Sequence, residues 1–322
     1  MEAKPTLPLS ELEIAKAKTW RIAWRNMRHS WQLYVLLALP LLWLAVFQYY
    51  PMYGAQIAFR DFLPGDSIWE ADWVGLENFQ RFFQSVMFSK LLINTLGLSL
   101  YSLIVGFPIP IVFALSLNQL RPGLFKQSVQ MVSYAPYFIS TVVLVGMLLQ
   151  FLDLRHGPVN LLLGALGMDT IHFMGDAKLF QSIYVWSGVW QYTGFNTVIY
   201  LAALSSVDPA LHEAAVVDGA TRLHRIWYID LPGILPTAIT LLILNMGQVI
   251  NVGFEKVFLM QNPLNTSISE VISTYVYKVG LVGGITNYSY AAAIGLFNSL
   301  VGLVLLVAAN QLMKKLTDSS LW

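Results

Sequence analysis

The chain has 322 residues, of which 56% are hydrophobic and only 11% charged. A soluble domain carries about a quarter charged residues, so this composition excludes a soluble enzyme or binding module and points to a polytopic membrane protein. There is no cysteine, which excludes a disulfide framework and a thiolate metal site, and the net charge is only +1, so the sidedness of the charges is the informative quantity.

Residues 1–30 are too polar, and too long before the first apolar run, for a cleaved signal. They are expected to form a cytoplasmic amphipathic segment. Ser10 with Glu13 fits a capping box. Trp20, Trp24 and Trp31 fall near one face, with Lys16, Arg21, Arg25 and Arg28 elsewhere, a pattern that suits a membrane interface.

Six apolar runs follow, near 31–50, 91–117, 127–152, 180–204, 232–254 and 288–312. Each approaches or exceeds the roughly 20 residues that cross a bilayer core, so the expected fold class is an all-α polytopic membrane protein of about six transmembrane helices. Pro108 and Pro110 lie in the second run and Pro136 in the third. Interior prolines free backbone carbonyls that neighbouring helices or a wet cavity must satisfy, which predicts a bundle around something polar. With the N-terminus inside, the inner segments hold twelve of the nineteen Lys and Arg residues, while the acids divide eight inside and ten outside. This bias places both termini in the cytoplasm. The chain then divides into the segment 1–30, a first helix with its outer loop over 31–90, a five-helix core over 91–316, and a cytoplasmic tail over 317–322. The remaining outer segments are 153–179 and 255–287. The latter contains NPLNTSISEVISTYVYKVG, read as a turn and then a helix capped near Ser267 or Ser269.

The inner loop 205–231 is unusually patterned. Asp208-Pro209 is a helix start, an N-cap acid with proline at the first helical position. The helix should run through Leu211, Ala214, Ala215 and Val217 and stop at Asp218-Gly219, where glycine accepts the left-handed conformation. A second short helix around Arg222 to Tyr228 should lead to Leu231-Pro232 and back into the membrane. Glu213-Ala214-Ala215, Gly219, Ile229 and Leu231-Pro232 keep every spacing of the signature EAA, three residues, Gly, nine residues, Ile, one residue, Leu-Pro. On these residues the chain resembles the permeases of binding-protein-dependent ABC importers, with a type I importer permease fold. The stretches FQYYPMYGAQIAFRDF, WVGLENFQRFF, NTLGLSLYSLIVGFPIPIVFAL, SYAPYFIS and ANQLMKKLTDSSLW are similar to the polysaccharide and oligosaccharide branch, which includes the LplB type and the first permease subunit of alginate importers. The resemblance implies that loop 205–231 is a coupling helix, with Glu213, Ala214, Ala215, Asp218, Gly219, Arg222, Ile229, Leu231 and Pro232 meeting an ATP-hydrolysing partner. It also implies a second related permease, two ATPase copies carrying ATP and Mg, an extracytoplasmic solute-binding protein, and a place in the bacterial inner membrane.

A sugar passing through needs hydrogen-bonding groups and aromatic faces to replace its lost water contacts. The span before the loop offers Trp186, Trp190, Gln191, Tyr192, Asn196 and Thr197. In the span after it, Asn245, Gln248, Asn251 and Glu255 share a narrow face at helical spacing. A polar stripe on an apolar span faces protein or water rather than lipid, although amides that only join helices and interfacial tryptophans remain the alternative. The related maltose importer's permease draws its sugar contacts from these two spans, but neighbouring asparagines of that site are absent here. Lys256, Asn262, Glu270 and Lys278 are candidates for the binding-protein contact, with a plain solvated loop as the alternative.

No G-x-x-x-x-G-K-[ST] loop is present, so nucleotide binding by that motif is not expected, and His29, His156, His172, His212 and His224 show no metal-ligand spacing. The expected function is therefore transport of an oligo- or polysaccharide, alginate or its fragments on the strength of the resemblance. The alternatives are a neutral oligosaccharide importer permease, or an ion-coupled transporter or channel, which the lack of acids and arginines at span centres disfavours.

Overall fold

The computed structural model describes residues 28–63, 65, 67–282 and 287–316. The expected amphipathic segment lies largely outside the described residues, as does the tail 317–322. Two compact units are present, residues 1–56 and 57–322.

The described residues of the first unit are helical from Trp31 onward. Helix α1 (Trp31–Leu44) continues through a π turn at Ala45–Tyr49 and a helical turn at Tyr50–Met52. It is apolar on all sides and none of these residues is buried, as expected for a helix whose solvent is lipid.

The second unit opens with a two-residue antiparallel ribbon, β1 (Arg60–Asp61) on β2 (Asp72–Trp73), which Arg60 Nη1 ties to the Ala71 carbonyl at 2.7 Å. Helix α2 (Glu77–Gln84) then turns at Ser85, whose hydroxyl accepts from the Met87 N–H and caps α3 (Val86–Gly106). Helix α4 (Pro108–Asn118) extends α3 past Phe107, forming an apolar segment 33 residues long.

The third apolar run, expected as a span over 127–152, is not one unbroken helix. It forms α5 (Leu124–Tyr134), a 3₁₀ turn (Ala135–Phe138) and α6 (Thr141–Phe151), bent by 98°. The cause is local. Pro136 removes a donor, Ile139 is extended, and Ser140 starts a new helix by accepting from the Val143 N–H.

After α7 (Pro158–Ala165), the 29-residue helix α8 (Ala177–Ser205) packs against α3, α4 and α5. At its crossing with α5, a Cβ on Gly194 would overlap the Ser133 carbonyl. Small residues at such crossings let helix backbones approach closely. The chain continues through α9 (Pro209–Val217), α10 (Arg222–Arg225), a π turn (Ile226–Asp230) and α11 (Leu231–Gln248). It ends with α12 (Phe254–Met260), α13 (Thr266–Ser269), α14 (Ile272–Tyr277) and α15 (Tyr288–Leu316).

Among the described residues, four helical segments, 31–59, 86–118, 222–248 and 288–315, are long and apolar enough to cross a membrane, and the bent pair, taken as one span, makes a fifth. Helix α8 has the length but a more polar middle, with Gln191, Tyr192, Thr193 and Asn196. Counted with it, the segments number six.

Three apolar clusters hold the bundle. Leu98, Val145, Phe180 and Val257 tie α3, α6, α8 and α12 together. Ala114, Tyr200, Leu204 and Ile234 join α4, α8 and α11. Phe82, Leu91, Ile272 and Ile294 join α2, α3, α14 and α15.

Candidate functional site

The loop after α8 folds largely as its sequence predicts. Asp208 Oδ1 accepts from the Ala210 N–H at 2.9 Å and caps α9, with Pro209 at the first helical position. At the other end Gly219 has φ +78. Its N–H reaches the Val216 carbonyl at 3.1 Å, and the Ala220 N–H reaches that of Ala215 at 2.8 Å, the paired bonds of a Schellman stop.

Beyond it the structure departs from expectation. No separate second helix ends at Tyr228. Thr221 caps α10, and the π turn carries the chain without a break into α11. Glu213, Ala214, Asp218, Gly219, Arg222 and Pro232 are exposed, while Ala215, Ile229 and Leu231 are half-buried. Leu211, Val216, Val217 and Leu223 are exposed as well, so the segment presents apolar and charged side chains together.

Sequence reasoning missed the feature that anchors this element. Asp230 is fully buried. Its carboxylate accepts from Gln119 Nε2 at 3.0 Å and Asn118 Nδ2 at 3.5 Å, and His212 Nε2 of α9 lies 3.3 Å away. The available signal was one acid placed just before an apolar span. Nothing local pairs it with a histidine eighteen positions earlier.

A second site is a cavity of about 670 Å³ between α3, α4, α8, α11 and α12. Tyr192, Asn196, Asn245, Gln248 and Asn251 all line it, so five of the seven expected pathway residues come together. Trp186 and Trp190 do not. They sit two positions off the 184–188–192–196 row that faces the cavity and are about half exposed, with Trp186 Nε1 donating to the Tyr101 hydroxyl at 3.2 Å. Gln191 and Thr197 are buried fasteners, to the carbonyls of Ile139 at 2.7 Å and Pro110 at 3.3 Å.

The single polar stripe expected from Asn245 to Glu255 is also corrected, because α11 ends at Gln248 and Glu255 belongs to α12. Asn251 folds back to donate to Gln248 Oε1 at 3.1 Å and accepts from Asn298 Nδ2 at 3.1 Å. Asn298, which sequence reasoning did not single out, thus joins the amide chain.

Lys256 was expected on a surface but is only 7% exposed and lines the cavity. Its Nζ donates to the Tyr184 carbonyl at 2.8 Å and lies 4.7 Å over the Tyr184 ring. Burial pushes the ammonium down to about 8. Lys278 pairs with Glu270, whereas Lys256 has no carboxylate partner among the described residues.

Of the other residues expected to contact a binding protein, Asn262 and Lys278 are half-buried and only Glu270 is buried. Glu270 is paired with Lys278 at 2.7 Å, and Asn262 donates to the Met174 carbonyl at 2.6 Å. Among the described residues no group of His, Asp and Glu has the arrangement of a metal site.

Residues 106–318 match the family model described as a binding-protein-dependent transport system inner membrane component. The chain is 40% identical to protein LplB of Bacillus subtilis (strain 168), over 97% of this chain and 96% of that one. It is also 40% identical to the polygalacturonan/rhamnogalacturonan transport system permease YteP of the same organism, over 90% of each. It superposes with a TM-score of 0.84 and 39% identity on a chain of a bacterial ABC transporter involved in import of the acidic polysaccharide alginate, covering 92% of this chain and 99% of that one. The match to a bacterial alginate ABC transporter in complex with an alginate pentasaccharide-bound periplasmic protein has a TM-score of 0.85 and 38% identity, with the same coverage.

Proposed function

Because the chain belongs to the binding-protein-dependent transport system inner membrane component family, with the type I importer permease fold, we propose that its cavity passes acidic oligosaccharides, alginate fragments among them. The observation that carries this reading is Lys256, a buried cation lining the cavity with no carboxylate partner among the described residues. An unpaired buried charge is costly, and a uronate carboxylate would supply the counter-ion. Asn196, Asn245, Gln248 and Asn251 would exchange hydrogen bonds with sugar hydroxyls, and Tyr192 would offer an apolar ring face.

The import of alginate by one solved relative and the polygalacturonan named for YteP support a carboxylated substrate. Glu255 also lines the cavity and favours the competing reading, a neutral oligosaccharide.

In this reading α9 docks on an ATPase that binds the ATP and Mg, two ATPase copies and a second related permease complete the assembly, and both termini are cytoplasmic. A solute-binding protein delivers the sugar, and closure of the ATPases shifts the bundle between two states through α9. The exposed Leu211, Val216, Val217 and Leu223 beside Glu213 suit such a docking face.

The test is ATPase rate and uptake of the reconstituted complex with its binding protein, given alginate oligosaccharides or neutral oligosaccharides of matched length. Stimulation by the uronates is expected. Stimulation only by neutral sugars would discard the acidic substrate and keep the importer.

A further inference from the structure

We propose that Asp230 and His212 form the junction through which movement of α9 reaches the membrane bundle, as positioning residues at positions that the signature leaves unspecified. The inference rests on the coupling reading of α9. Three chain segments converge on one buried carboxylate: α9 through His212 at 3.3 Å, the end of α4 through Asn118 at 3.5 Å and the adjoining Gln119 at 3.0 Å, and the start of α11 through Asp230 itself.

Helix α9 otherwise has little hold on the bundle. None of its residues is buried, and most are exposed. His212 is its polar attachment inward, because the capping acceptor Asp208 serves α9's own backbone. A push on an exposed helix moves the bundle only through groups that grip both, and a carboxylate with charge-assisted bonds to several donors is such a grip.

The backbone at this point is also irregular. Ile226–Asp230 is a π turn, so Asp230 terminates a wider helical turn just where α11 begins. π turns inside α-helices recur at functional positions because they shift the register of all that follows. Arg225 faces the same region, with its Nε buried and unpartnered. The junction thus combines a satisfied carboxylate, a spare donor and an irregular backbone turn, the ingredients from which an element with two arrangements is built.

The experiment uses the whole transporter with its binding protein in proteoliposomes and reads ATP hydrolysed per sugar transported. The variants are His212→Ala, Asp230→Asn and the double variant, with Glu213→Ala as the reference for the coupling surface. Each single variant is expected to raise the ratio about fivefold or more, the lower end of ordinary coupling free energies, with the double variant no worse than either single one. An unchanged ratio, or independent effects that multiply in the double variant, overturns the proposal. If Asp230→Asn prevents assembly, the His212→Ala ratio decides alone: raised supports the junction, unchanged overturns it. If Glu213→Ala also leaves the ratio unchanged, the coupling reading of α9 falls too. If only Glu213→Ala raises it, that reading stands and the junction falls.

Discussion

At the scale of single residues, Lys256 carries the strongest expectations. Replacing it with Met keeps an unbranched apolar stem and removes the charge. A hydrogen bond to a charged group contributes about 1.5–3 kcal/mol, so Lys256→Met is expected to weaken uptake of uronate oligosaccharides roughly ten- to a hundredfold. Competition by neutral sugars, measured in parallel, should be affected less. The same lysine predicts a pH dependence. Its ammonium is pushed down to about 8 from an ordinary 10.5, so uronate uptake should fall as pH rises through about 8. The folded form binds fewer protons than the unfolded form between these values, so this lysine's contribution to stability moves the other way. The cost of burying the charge is fully present below about 8 and is relieved as pH rises towards 10.5. Thermal unfolding of wild type against Lys256→Met over that interval checks the sign, since the variant should lack this increment. Asn245 is a weaker case. Its Nδ2 already donates to the Leu241 carbonyl at 2.8 Å, which leaves Oδ1 to accept from a sugar. One neutral hydrogen bond is worth about 1 kcal/mol, so Asn245→Leu should reduce uptake several-fold with normal assembly. Normal uptake would remove it from the pathway.

At the scale of elements, two glycines set geometry that most other residues would strain. Gly219 sits at φ +78, a region closed to proline, whose ring fixes φ near −65°. Gly219→Pro should break the stop of α9 and uncouple ATP hydrolysis from uptake while the protein still inserts, a result that uptake per ATP would show. Gly194 allows the α8 crossing against the Ser133 carbonyl. Gly194→Leu should force α8 and α5 apart and lower the yield of folded protein, as read by monodispersity after extraction. The first of these glycines was legible, because Asp208-Pro209 and Asp218-Gly219 are local signals whose meaning depends on neighbours in sequence. The bend between α5 and α6 was not. A run from 127 to 152 looks like one span because hydropathy counts apolar length and carries no direction, and Ser140 acts as a cap only once Ile139 is extended. The end of α11 at Gln248 was hidden for the same reason, since Val249, Ile250 and Val252 prolong the apolar run into a turn. That error put Glu255 on the wrong helix. Asp230 with His212 and the burial of Lys256 were illegible because each depends on a partner distant in sequence. Spacing rules cover only a few turns of one element.

At the scale of the whole molecule, the parity of membrane crossings turns on α8. The other five segments, counting the bent pair once, are apolar enough to cross by composition. If α8 stayed on one face, the two termini would lie on opposite sides, and the loop with α9 would face away from the cytoplasm. Its length argues for crossing: 29 residues extend roughly 43 Å at the helical rise, beyond a hydrocarbon core of about 30 Å. The polar groups that lower its hydropathy are also disposed so that crossing is not costly. Gln191 and Thr197 are buried and bonded to carbonyls of Ile139 and Pro110, while Tyr192 and Asn196 line the cavity. A polar group satisfied by protein or water escapes the penalty it would meet in lipid. The charges agree, with Arg222 and Arg225 after α8 and more acids than bases in the segment before it, Asp153, Asp169 and Asp176 against Arg155 and Lys178. Alkaline phosphatase fused within residues 159–170 should therefore be active outside the cytoplasm, and the same reporter fused after Ser205 should be inactive. Equal activity at the two positions would mean that α8 does not cross. It would also remove the cytoplasmic placement on which the docking of α9 to an ATPase depends.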